Sequence, residues 1–445
     1  MALSSTLPRL VGLVFVEGFV SVSLEVLTLR QVVPFVGSSV VVTSLVIGFF
    51  LLFLALGYQR GGRRRGEAQR ILVRNFLLAG LWLGVGLSYP GLEWIFTTLR
   101  GLGELGALIG YLLLVTSPLA YWLGQKVPMA AGLFPGREVR HISGQVLFLS
   151  TLGSFLGSVL TSLLLMNWLG VGATVFVDLL LLGGLVLLVA PEPKPALALV
   201  PLVAVGWWLN VDYNRQVFVA DNLYGNYRVI QRGQARDLVV NNSRSSHIGP
   251  AGEGFWYIET IRRLLFDQLG LRERQILVLG AGGFTLAREG DSSHYTFVDI
   301  DGEIDDIVRK HFNPHIHGEF VARDARIYVL ESRRQFDVIV SDVYLNHNAV
   351  PDHLLTVEHF RAVRARLKEG GFAVFNTIIN PLMSDPYSRR LDNTLGAVFD
   401  HCMIIPRLYQ DWTTNVIYAC RDLPQDATVY RDDLNRAGLD REFLR

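Results

Sequence analysis

Glycine or acid ends four apolar runs in the second half of the chain, and together those four ends can do chemistry. In QILVLGAGGFTLAREGDSSHYTFVDID, residues 275–301, the run Ile276–Leu279 stops at Gly280-Ala281-Gly282-Gly283. The run Tyr295–Val298 stops at Asp299, with Asp301 just beyond. Glycines after a buried parallel strand let the backbone turn tightly and approach a ligand, and an acid at the next strand tip can accept hydrogen bonds from ribose hydroxyls. EFVA leads into Asp324-Ala325, which would set a carboxylate against an adenine amine, and FDVIVSD ends on Asp342. A carboxylate there would lie between cofactor and acceptor and would orient or deprotonate an amine nucleophile. Each acid alone is equally at home as a helix cap or a solvated loop residue. Four in register on successive strand tips make coincidence a poor account and point to a site for a nucleoside-containing cofactor. A nicotinamide fingerprint would want a third glycine near Thr285, and its absence argues against a dehydrogenase.

The elements that would position these residues follow from the pattern. Strands and helices alternate from 275 onward, with strand tips expected at Gly280, Asp299, Ala322, Ser341 and Thr377. The order at the glycines reads as strand, turn, helix, strand, so the helix N-terminus would add its amides to the cofactor's polar tail. The last apolar runs, Met403–Ile405 and Val416–Cys420, have too little chain between them for a crossover and should pair antiparallel at the sheet edge. Before this domain, Gly254–Leu269 reads as an amphipathic helix, and 217–250 as a small antiparallel β-unit.

The first half is of another kind. Only 13 of the 41 Lys and Arg and 8 of the 40 Asp and Glu lie in its first 200 residues. Apolar segments near 10–29, 38–57, 75–96, 105–125, 145–166 and 171–190 each approach the roughly 20 residues that cross a bilayer core. Six spans, with the Arg-rich loop RGGRRRGEAQR cytoplasmic by the positive-inside rule, would also leave the second half cytoplasmic, at a bacterial-type inner membrane. Residues 196–210, with Trp207 and Trp208 and an interrupting Pro201, read as an interfacial helix. The division is then 1–195 transmembrane helical domain, 196–216 interfacial helix and linker, 217–250 β-unit and 251–445 Rossmann-like domain. Small residues four apart, such as Gly80/Gly84, Gly106/Gly110 and Gly153/Gly157, suit close helix packing. Glu17, Glu25, Arg30 and Asp178 are ionisable groups in or near spans; Glu25 and Arg30 are expected to pair.

Several classes gain no support. A net charge of +1 without a basic tract in the second half gives no case for nucleic acid. His247, His347 and His353 have no third ligand at convincing spacing, so no metal is expected. Cys402 and Cys420, far apart in sequence, neither suggest a disulfide framework nor contradict a reducing compartment.

With these residues in view, the second half resembles spermidine synthases, aminopropyltransferases with a small β-unit before a Rossmann-like, class I methyltransferase-type domain. The matching segments run in order: Tyr257-Ile258-Glu259 where the family has Tyr-His-Glu, LGAGGFTLARE, FVDID, RDA at 323–325, FDVIVSD, LKEGGFAVFN and IPRLYQDWTTNVIYA. The membrane half, with FVEGFVSVSLEVLTLRQVVPFVGSS, resembles the membrane domains fused to bacterial relatives. The resemblance implies binding of decarboxylated S-adenosylmethionine or S-adenosylmethionine through Gly280, Gly282, Gly283, Asp299, Asp301, Asp324 and Ala325, and catalysis by Asp342 with Tyr344. Glu253, Tyr257 and Tyr409 fall on the acceptor side, and Trp412 joins the aromatic walls. Two departures matter. The family's glycine-loop acid is Gly283 or Phe284 here, and no second acid follows Asp342 in Val343-Tyr344-Leu345-Asn346-His347-Asn348. Fewer carboxylates imply an acceptor other than putrescine, larger, amphiphilic or delivered by the lipid bilayer. A second copy of the chain stays among the candidate partners. The alternatives are a methyltransferase on the same fold and a non-catalytic nucleoside sensor acting on the membrane bundle.

Overall fold

The computed structural model describes residues 7–37, 39–63, 68–133, 139–190, 192, 194–344 and 350–422. Arg64, Arg65, Glu67, Arg137 and the stretch 345–349, with Asn346, His347 and Asn348, lie outside them. The chain divides into two compact units between Ser245 and Ser246.

Among the described residues of the first unit, six helical runs are long and apolar enough to cross a membrane: Pro8–Val36, Val40–Arg63, Arg100–Ala130, Gly144–Leu169, Val171–Val189 and Lys194–Val217. Ala68–Gly86 with Tyr89–Thr98, bent by 73° at the break, makes a seventh candidate when the pair counts as one span, and in chain order it is the third run. The segment expected to lie at the interface belongs to a continuous run of 24 residues, long and apolar enough to cross. Pro201 lies inside the helix Lys194–Trp207 without ending it.

Glycines decide how closely these helices approach. A Cβ on Gly153 or Gly157 would fall 2.1 or 2.3 Å from the carbonyl oxygens of Phe15 and Phe19, so the fifth run lies backbone to backbone on the first. Several of the buried polar groups are paired. Lys126 Nζ is 2.9 Å from Glu17 Oε1, to which Ser21 also donates at 2.7 Å. Asp178 accepts from Ser23 Oγ at 2.6 Å, and Thr161 donates to that hydroxyl at 2.7 Å. Arg30 donates to the Asn222 carbonyl at 2.8 and 3.1 Å and lies 3.9 Å from Asp221. Residues five apart on a helix sit about 140° apart around its axis, so Arg30 reaches past the helix to the chain beyond the bundle.

A four-stranded sheet, β1 Ala220–Asp221, β2 Asn226–Arg232, β3 Ala235–Val240 and β4 Ser243–Ile248, follows in simple sequential order. The second unit is built on a seven-stranded sheet with order β10-β11-β9-β8-β5-β6-β7, comprising β5 Gln275–Leu279, β6 His294–Asp299, β7 Glu319–Ala322, β8 Phe336–Ser341, β9 Leu367–Ile379, β10 His401–Pro406 and β11 Thr414–Arg421. Five strands run parallel, and β11 and β10 close the edge antiparallel. This is a Rossmann-like sheet with its order reversing between β5 and β8, where such folds place ligands. Register sets Cys402 directly opposite Cys420 on the two edge strands, and they form a disulfide. The sequence separation had concealed that proximity.

Candidate active site

The glycine turn is the first correction at the site. No helix follows β5; the connection to β6 holds only turns. Gly280, Gly282 and Gly290 take positive φ, as does Phe284 at +57°, and side-chain clamps fix the loop in this form. Arg262 holds Asp291 through two hydrogen bonds of 2.8 and 2.9 Å, and Arg288 pairs with Glu259. A crossover with its own helix needs a dozen or more residues free to coil. This one is pinned along its length to the helix Trp256–Arg262.

The turn's amides are also engaged. Ala281 N–H donates to Asp299 Oδ2 at 3.0 Å and Gly283 N–H to Ser246 Oγ at 2.8 Å. Gly283 has no room for a side chain, since a Cβ would fall 2.4 Å from the Phe312 ring and 2.7 Å from Ser246. Phe284 points into the core, 1% exposed, with its ring centroid 4.7 Å from Phe297. Neither position can present the acid that the resemblance would place there. Gly280 is required for a different reason: its φ is +88° and a Cβ would meet the Asp342 carbonyl oxygen at 2.3 Å. The turn and the tip of β8 thus touch through backbone.

Asp342 is the centre of a polar network. Asn376 Nδ2 donates to its Oδ1 at 2.8 Å, and the Tyr257 hydroxyl donates to the same carboxylate. Tyr344 donates to the Asn376 carbonyl at 2.9 Å, and Asn415 Nδ2 to Asn376 Oδ1 at 3.2 Å. Burial pushes the Asp342 carboxyl up, against the two hydrogen bonds that favour its charge. Burial, then the Asp342 charge, pushes the Tyr257 and Tyr344 phenols far above their ordinary value, so both stay protonated donors. Composition gives little warning of Asn376 and Asn415, which arrive from β9 and β11 through the sheet register. The one visible signal is an amide interrupting the apolar run FAVFN.

The remaining sequence candidates divide. Asp299 accepts the amides of Ala281 and Asp301, at 3.0 Å each, and burial pushes its carboxyl up to about 6. Asp301 is 2% exposed and accepts from Glu303 N–H. Asp324 caps the helix Ala325–Glu331 through Ile327 N–H at 2.9 Å and meets His353 Nε2 at 3.3 Å. Glu253 folds back on its own loop, accepting from Ala251 N–H. Tyr409 is 74% exposed and Trp412 63% exposed, so neither forms a buried wall. A small cavity of about 20 Å³ joins Tyr257, Gly280, Ala281, Leu286 and Asp342. Pockets that hold organic ligands are far larger, about 300–1,000 Å³. Among the described residues no cluster of His, Cys, Asp or Glu could hold a metal.

The Asp299 environment gives a pH prediction. Its folded pKa lies above the ordinary carboxylate value, and at a ribose the ionised form would be the one to accept both hydroxyl hydrogen bonds. Donor affinity should therefore be constant above about pH 7 and fall by up to about tenfold per unit below about 6. Calorimetric titrations from pH 5 to 8 should show this fall in the unaltered protein and not in Asp299→Asn. A flat profile for the unaltered protein would remove Asp299 from the donor site.

Strand order defines a Rossmann-like domain with acids at the carboxyl ends of its strands. More narrowly, the second half is spermidine synthase-like: residues 257–422 match the family model described as spermine/spermidine synthase domain. Over 191 residues the chain is 33% identical to polyamine aminopropyltransferase 2 of Hyperthermus butylicus, covering 40% of this chain and 60% of that protein. Over 150 residues it is 27% identical to a polyamine aminopropyltransferase of Vibrio vulnificus, covering 32% and 49%. The chain thus spans less than two thirds of the length of either relative. Among solved structures, a probable spermidine synthase of Corynebacterium glutamicum is similar at 23% identity and a TM-score of 0.40, over 50% of this chain and 84% of that one.

Proposed function

We propose that the chain is a membrane-anchored transferase that uses decarboxylated S-adenosylmethionine to move an aminopropyl group to an amine. The observation that carries this is the Asp342 network. A buried carboxylate, aimed by Asn376 and Tyr257, stands at the carboxyl end of β8, beside the turn that follows β5. The amine nitrogen would attack the carbon bonded to the sulfonium. A C–N bond forms as the C–S bond breaks, the sulfur leaves as a neutral thioether, and the amine's proton passes to a base. Asp342 suits that base because burial raises its proton affinity. Asp299 would hold the ribose. The names of the two curated relatives support the same transfer, and the apolar helical runs are compatible with anchoring in a bilayer.

Methyl transfer from S-adenosylmethionine is the second reading, favoured by one observation: position 283 is packed shut, so no acid there opposes the carboxylate that S-adenosylmethionine carries and its decarboxylated form lacks. Full-length protein in detergent, given decarboxylated S-adenosylmethionine and a panel of polyamines and aminolipids, should release methylthioadenosine. No release with any acceptor would sink the proposal, and adenosylhomocysteine formed from S-adenosylmethionine would move the assignment to a methyltransferase.

A further inference from the structure

The first unit has two distinguishable ends. At one, Gly61 at the close of the second run lies against the Gln125 carbonyl, where a Cβ would come within 2.3 Å. A cleft of about 840 Å³ at the same end brings Arg70 and Arg74, at the start of the third run, together with Glu192 and Lys194, at the start of the seventh. At the other end, Gln31 donates to the Leu87 carbonyl at 2.9 Å, joining the end of the first run to the break in the third. Gly172, at the start of the sixth, and Asn214, at the close of the seventh, both donate to Asp221 Oδ2, at 3.3 and 2.9 Å. The runs therefore alternate between the two ends, and the seventh finishes at the end opposite the one where the third began. Beyond it β1–β3 stay at that end, where Arg30 holds Asn222 and the Tyr89 hydroxyl meets Asn242. The chain passes to the second unit from there.

Charge tells the ends apart. The connection at 60–74 carries Arg60, Arg63, Arg64, Arg65, Arg70 and Arg74 against Glu67, and the connection at 134–143 adds Arg137 and Arg140 against Glu138. At the opposite end the connections at 37–39 and 170 carry no charge, and Arg100 is matched by Glu93 and Glu104. Lys and Arg in short loops stay in the cytoplasm. With the sixth and seventh runs both crossing, we infer that the spermidine synthase-like unit faces the extracytoplasmic side of the membrane, the reverse of what six spans imply. The disulfide between Cys402 and Cys420 is an independent observation in the same direction, because structural disulfides persist in oxidising compartments and are rare in reducing ones. Donor and acceptor then meet outside the cytoplasm, and the acceptor is an amine presented at the outer face.

The test uses the full chain in intact bacterial cells and reads no activity, so it fails independently of the transferase proposal. Gln59 is exposed at the Arg-rich end and Gln268 is exposed in the second unit. A membrane-impermeant maleimide should label Gln268→Cys in intact cells and Gln59→Cys only after permeabilisation. The reverse pattern overturns the inference, as does labelling of both only after permeabilisation. Reporters fused after Arg445 avoid internal substitutions: an active alkaline phosphatase with a dark green fluorescent protein supports it, and the opposite pair overturns it.

Discussion

Asp342→Asn is expected to lower turnover by about 10²–10⁴-fold, the span typical of losing a positioned acid–base group, while donor affinity changes by less than about threefold. The substitution keeps the shape of the site. An Asn carbonyl can still accept from Asn376 Nδ2, and its amide can donate to the Tyr257 oxygen, so the network that holds this position survives. What is lost is the charge and the ability to take a proton. Donor binding should persist because Asp299, proposed to hold the ribose, belongs to a separate strand and is fixed by the amides of Ala281 and Asp301. Single-turnover release of methylthioadenosine and calorimetry of the donor separate the two quantities. Wild-type turnover in the variant would remove Asp342 from the chemistry, and loss of donor binding along with turnover would make it a donor ligand. Tyr257→Phe should cost less, because Asn376 still aims the carboxylate.

The sequence carried the frame of this site because parallel strands buried on both faces are apolar until they end, and an acid at the end stands out. Asp299 and Asp342 were visible for that reason, as was the antiparallel pair at the sheet edge. The glycine turn misled because a strand, glycines and a second strand usually imply a helix between. Here the side-chain clamps Arg262–Asp291 and Glu259–Arg288 hold the loop in turns, and both depend on partners 29 residues away. Asn376 and Asn415 show a second limit. Each is an unremarkable amide until register lays β9 beside β11. Cys402 and Cys420 become partners in the same way, through strand pairing that spacing alone does not reveal. Tyr409, an aromatic in a loop beside the edge strands, is mostly exposed. Pro201 drew attention to an interruption that the helix absorbs.

The largest stability effect is expected in the bundle, at Glu17 and Lys126. Their side chains are 4% and 2% exposed, with Nζ and Oε1 at 2.9 Å. Lys126 also lies over the Phe76 ring at 5.1 Å from its centroid. Removing one partner of a buried pair leaves a charge with neither water nor counter-charge, which costs about 3–5 kcal/mol, whereas replacing both with apolar groups of similar volume is often neutral. Lys126→Met alone and Glu17→Leu alone should therefore each lose about that much, and the double variant should recover most of it. Thermal unfolding of the four proteins in one detergent gives the cycle, with Ser21 counted on the acid's side because it donates to Glu17 at 2.7 Å. A double variant that loses the sum of the singles would mean that the two charges act independently. Singles that lose less than about 1 kcal/mol would mean that water reaches the pair. The recovery matters for function as well as stability. If the double variant melts like the parent and still releases methylthioadenosine, the pair serves to lock the first run to the fourth; if it is stable but inactive, the bundle does more than anchor the domain.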